Sequence, residues 1–101
     1  MKLVLGASLR GLRVETLFAL CVASEVYQNH SYEMEITSGV EGKHSRGSLH
    51  YSGAAVDLRI KNIPTEVVLD ITTDIKERLA SDYDVILEGN HIHIEYQPKS
   101  E

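Results

Sequence analysis

The sequence predicts an α+β domain: a small antiparallel sheet with two helices packed on one of its faces. Three observations carry that expectation. Two segments repeat apolar residues at helical spacing, four shorter segments read as strands from their period or apolar content, and the last two of these are joined only by Gly89-Asn90. A two-residue connection of that composition is the mark of a tight β-hairpin.

From Arg13 to Asn29, the residues Val14, Leu17, Phe18, Cys21 and Val26 recur near every third or fourth position, predicting a first helix with these side chains along its buried face. Glu15 and Glu25 interrupt the pattern. Cys21, the only cysteine, is expected to pack in the core, and alone it supports neither an internal disulfide nor a sulfur-rich metal site. Residues 33–38 alternate Met34 and Ile36 with Glu33, Glu35 and Thr37, as a half-buried strand does. Gly39, Gly42 and Gly47 make residues 38–48 a loop.

A second strand is expected over 54–60, and Asn62-Ile63-Pro64 then punctuates the chain before a helix at 65–79. Val68, Ile71, Ile75 and Leu79 form the apolar stripe of that helix, with Glu66, Asp70, Asp74 and Glu77 on a solvated face. Two hairpin strands follow at 85–88 and 91–96, and residues 97–101 read as a frayed tail.

At 101 residues the chain makes one domain, 1–101, able to bury a core without disulfides. Its net charge of −5 argues against a general nucleic-acid binder, which needs a surplus of Lys and Arg to neutralise phosphate. No run approaches the roughly 18 apolar residues of a membrane span. The apolar start of the chain breaks at Arg10 and Arg13, so no export signal is read.

Two short segments carry groups that bind metals or move protons. The first is Ser48-Leu-His50-Tyr-Ser-Gly53-Ala-Ala55-Val-Asp57, in which strand alternation would put Gly53, Ala55 and Asp57 on one face. The small residues would leave open space before the carboxylate, and His50 could fold back over it. The second is the hairpin, where a two-residue turn places Glu88, His91, His93 and Glu95 on one surface and Leu87, Ile92, Ile94 and Tyr96 on the other. Two histidines on a polar sheet face would ordinarily be solvated side chains. Beside His50 and Asp57 they suggest a three-ligand site with an open position. Glu88 is the candidate general base, Glu95 supports the site or lies on the surface, and His30 and His44 are read as surface or loop residues.

Ser48-x-His50-x-x-Gly53-x-Ala55-x-Asp57 resembles the SxHxxGxAxD signature of zinc D-Ala-D-Ala carboxypeptidases, and His91-Ile-His93 resembles the HxH element of the wider group containing lysostaphin-type peptidases and the Hedgehog signalling domain. The likeness covers residues 46–96. It implies a Hedgehog/DD-peptidase-like fold, one Zn2+ held by His50, Asp57 and His93, and hydrolysis of a peptide bond in bacterial peptidoglycan. Glu88 would then serve as base and His91 as a helper beside the metal, while Arg46 and Ser48 would contact substrate. For Arg46, a bidentate carboxylate clamp and a plain exposed loop charge both stand.

Many relatives carry an acid three residues before the ligand histidine, where this chain has Asn90. A register with His91 as ligand restores that spacing from Glu88. The competing class is a non-catalytic domain in which metal stabilises the fold or mediates a partner contact. A short chain in which neither an export signal nor a wall-binding domain is read would suit a phage lysis or virion-associated enzyme, synthesised in the cytoplasm and acting on the wall after release or from the virion.

Overall fold

The structure is a computed structural model that describes residues 1–3, 7–39 and 53–98. In chain order the elements are β1 (Lys2–Leu3), α1 (Val14–Asn29), β2 (Glu35–Ser38), β3 (Ala55–Arg59), α2 (Thr65–Leu79), β4 (Tyr83–Glu88) and β5 (His91–Tyr96). The strands form one sheet in the order β1-β2-β3-β5-β4. The expectation of an α+β fold holds, but the sheet is mixed: β1 runs parallel to β2, while every other pair is antiparallel. A parallel pair needs a crossover, and α1 supplies it.

One apolar core lies between a single sheet face and the helices. Ile36, Val56, Leu58, Val85, Ile92 and Ile94 supply the sheet side; Leu20, Ala23, Val26, Tyr27, Ile71, Ile75 and Leu79 supply the helix side. Alternation in each strand sends these residues inward and their neighbours to the opposite, open face. Ile92 and Ile94 are fully buried, and β4 and β5 pair in the register the hairpin predicts, Glu88 with His91 and Ile86 with His93.

The buried stripe of α2 is the one its sequence predicts, extended by Thr72. Pro64 sits at the N-cap, and its carbonyl accepts from the Val67 and Val68 amides. Helix α1 departs from expectation. Its buried residues are Thr16, Ala19, Leu20, Ala23, Val26 and Tyr27, whereas Val14, Leu17, Phe18 and Cys21 are exposed. The helix is apolar on both stripes, so its own periodicity cannot rank them. Packing chooses the stripe with Ala19 and Ala23, whose small side chains allow close approach, and with Tyr27, whose hydroxyl donates to the Arg59 carbonyl oxygen at 3.0 Å. Cys21 is therefore a surface thiol.

Gly53 has a structural role different from the one expected. It precedes β3, adopts φ +78°, and lies so near Gly11 that a Cβ would stand 2.1 Å from the Gly11 carbonyl oxygen. A left-handed backbone and a tight approach both require glycine. The Gly53 carbonyl accepts from the Arg13 amide at 3.0 Å and from the buried Thr16 hydroxyl at 2.7 Å, docking the entry of β3 onto the start of α1. Ala55, expected to border open space, is fully buried. One smaller expectation also changes: the Gln97 amide donates to the Asp82 carbonyl, so the tail is pinned there. His30 lies in the turn after α1, in keeping with the loop position expected of it, and pairs with Asp74 at 2.9 Å between the helices. Among the described residues, no helix is long and apolar enough to cross a membrane.

Candidate metal centre

The open face of the sheet gathers the hairpin's polar residues around Asp57. Asp57 on β3 stands directly opposite His93 on β5, and His91, two residues earlier on β5, stands opposite both Arg59 on β3 and Glu88 on β4. Between Ile36 and Ser38 the β2–β3 register shifts, a bulge that places Thr37 beside the site, its hydroxyl donating to the Asp57 carbonyl oxygen at 3.3 Å. Asp57, Glu88, His91 and His93 each present one ligand-type atom, and these four atoms lie within 4.8 Å of one another.

Within this group, His93 Nδ1 is 2.8 Å from Asp57 Oδ1, and its Nε2 is 2.7 Å from Glu95 Oε1. His91 Nε2 is 2.7 Å from Glu88 Oε1 and 3.5 Å from Asp57 Oδ1, while its Nδ1 is 2.7 Å from Asn90 Oδ1. An amide oxygen only accepts, so His91 Nδ1 is the donor to Asn90 and Nε2 is the end turned toward Glu88. The side chains of His93 and Asp57 are 14% and 15% exposed, against 47% for Glu88. The Asp57–His93 pair thus forms the floor of the site and Glu88 its solvent-facing rim.

Both ring nitrogens of His93 face carboxylates. Its pKa is raised from 6.5 to about 9, chiefly by the hydrogen bond to Asp57 and then by Glu95, against the lowering effect of burial. Without metal this ring is an imidazolium clamped between two anions. The same arrangement suits a metal ligand, because a metal-bound histidine usually donates its other ring N–H to a carboxylate or carbonyl oxygen. Adjacent ligands on a tetrahedral zinc lie about 3.3 Å apart, from metal–ligand distances of about 2.0–2.1 Å. The separations of 2.8 and 3.5 Å about Asp57 Oδ1 bracket that value. The donor set of imidazole nitrogen and carboxylate oxygen could hold a divalent metal ion.

The structure therefore brings together Asp57, Glu88, His91 and His93, four of the residues singled out from sequence. His50, Arg46, Ser48 and His44 lie outside the described residues. Glu95 acts as the carboxylate behind His93. Thr37 was not anticipated, because a bulge leaves no trace in the alternation of a four-residue strand. Compared with models of protein families, with curated proteins and with solved structures, the chain matches none of them.

Proposed function

We propose that this chain is a zinc-dependent peptidase of Hedgehog/DD-peptidase type, hydrolysing a peptide bond in bacterial peptidoglycan. The observation that carries the reading is the convergence of Asp57, His91, His93 and Glu88 on one small region of the open sheet face. The SxHxxGxAxD pattern ending at Asp57 adds the peptidase class. Asp57 and His93 would hold the ion, with His50 as third ligand. His93 is preferred to His91 because a carboxylate, Glu95, backs its second nitrogen, whereas a neutral amide backs that of His91.

Zinc in such a site supplies a water of pKa about 7 and polarises the scissile carbonyl. The residues do the rest. Glu88, at the solvent-facing rim, takes the proton of the attacking water and returns it to the leaving amine. His91 holds Glu88 through Nε2 and is itself held through Nδ1 by Asn90, so the proton carrier has a fixed direction. Asn90, which replaces an acid at this position, has a positioning role in place of an acid–base one.

Zinc-loaded protein incubated with peptidoglycan of several chemotypes should release new amino groups or free alanine. Glu88→Gln should keep zinc and lose roughly 10²–10⁴-fold in rate, the usual contribution of a general base. Stoichiometric zinc with no release from any chemotype would overturn the peptidase reading and leave a metal-stabilised domain. Unchanged activity in Glu88→Gln would overturn the assignment of the base.

A further inference from the structure

His91 also forms one wall of a cavity of about 490 Å3 beside the metal cluster. The other polar walls among the described residues are Thr37, Arg59, Lys61 and Asn90, and none of the described lining residues carries a carboxylate. That is unexpected from its surroundings. The chain has 15 acidic residues to 10 basic, and the open face carries Glu35, Asp57, Asp84, Glu88 and Glu95.

The charge in the cavity is met locally only in part. Arg59 Nη1 donates to Glu35 Oε1 at 3.1 Å, one use of a guanidinium that has five N–H donors. Lys61 has no carboxylate partner among the described residues. Asn90 has its oxygen occupied by His91, leaving its two amide N–H groups as donors. The backbone that carries the two cations is also held in place. The carbonyl of Arg59 is fastened by the Tyr27 hydroxyl, and Lys61 sits in a turn closed by the Ile63 amide on the Ile60 carbonyl, with Asn62 at φ +68°. A cavity offering an ammonium, the remaining donors of a guanidinium and an amide, with no carboxylate among its described lining residues, suits an anion.

We infer that this cavity is a substrate subsite that takes a carboxylate of the peptide, Lys61 supplying the countercharge and Arg59 and Asn90 the hydrogen bonds. The inference rests on the peptidase reading, since it is the shared wall at His91 that puts this carboxylate next to the bond being cut. The carboxylate is either the C-terminus of the peptide or an acidic group within it, and two ligand pairs separate these sources. The first is Nα,Nε-diacetyl-L-Lys-D-Ala-D-Ala as free acid and as C-terminal amide. The second is L-Ala-γ-D-Glu-L-Lys, C-terminally amidated, with its glutamyl α-carboxylate free or amidated.

Calorimetry on zinc-loaded Glu88→Gln protein reads binding without turnover, so failure of the subsite is distinct from failure of catalysis. In one of the two pairs the acid should bind about tenfold more tightly than the amide, as expected for a charge-assisted hydrogen bond. Lys61→Ala should erase that preference without altering zinc affinity. Gly89 also lines the cavity, and a Cβ there meets nothing within 4 Å. Gly89→Leu should therefore leave the fold intact and weaken the preferred acid by obstruction. Equal affinity for acid and amide in both pairs, no binding of any ligand, or a preference that survives Lys61→Glu would each overturn the inference.

Discussion

Replacing Gly53 by alanine tests whether this glycine serves the backbone or the chemistry of its neighbours. At φ +78° a residue with a Cβ loses about 1–2 kcal/mol. The new Cβ would also stand 2.1 Å from the Gly11 carbonyl oxygen and 3.2 Å from both Gly11 C and Leu12 Cα. These are backbone atoms, so no side chain can swing aside, and the segments at Gly11 and Gly53 must separate. Separation breaks the Arg13 amide and Thr16 hydroxyl bonds to the Gly53 carbonyl, each contributing about 1 kcal/mol. The sum is about 3–4 kcal/mol, a large share of the roughly 5–15 kcal/mol that holds a domain folded. In urea unfolding followed by circular dichroism, with a slope of about 1–3 kcal/mol/M, the midpoint should fall by about 2 M. Thr16→Val, which removes only the hydroxyl, should cost about 1 kcal/mol. A loss below about 1 kcal/mol in Gly53→Ala, or equal losses in the two variants, would refute the reasoning.

Three further outcomes follow from the packing and electrostatics. Leu20→Ala should cost about 2–5 kcal/mol, whereas Phe18→Ala on the exposed stripe of α1 should stay within about 0.5 kcal/mol; the reverse order would place the helix the wrong way round. Tyr27→Phe should lose about 1 kcal/mol with the bond to the Arg59 carbonyl, and a neutral result in urea would remove that bond from the structure's support. For metal-free protein, the His93 pKa lies above its ordinary value, so the stability it contributes is complete below 6.5 and disappears as pH rises through about 9. That contribution is at most about 3 kcal/mol, and Asp57→Asn should reduce it to the part that Glu95 supplies. A stability of wild type that rises between pH 7 and 10, or an NMR titration of His93 near its ordinary value, would contradict the clamped imidazolium.

The parts of the fold legible in sequence are those where a local pattern has a single solution. The hairpin alternates so strictly that Gly89-Asn90 sets both its register and the face of each histidine, and α2 has only one apolar stripe. Helix α1 has two, and only contact with Val56, Leu58 and the rest of the core selects between them. The two residues of β1 hold no period at all. Gly53 was visible as part of a motif, but its close approach to Gly11 is a non-local event and could not be read from alternation. The same limit applies to the site. The shared face of Glu88, His91 and His93 follows from the hairpin, but the opposition of Asp57 to His93 depends on β3 lying beside β5. Arg59 could have been anticipated, since it stands two residues after Asp57 on the same face. Lys61 could not, because its place is set by a turn.

Zinc binding by wild type, Asp57→Ala and His93→Ala, measured by competition with a chromophoric chelator, decides whether this face of the sheet is a metal centre. Wild type should bind one zinc per chain. Each alanine variant should remain folded by circular dichroism and bind at least about a hundredfold more weakly, having lost a ligand and exposed a charged neighbour. Glu88→Gln should retain most of the affinity. Zinc bound equally well by folded Asp57→Ala and His93→Ala, or no stoichiometric zinc in wild type, would contradict the assignment of Asp57 and His93 as ligands.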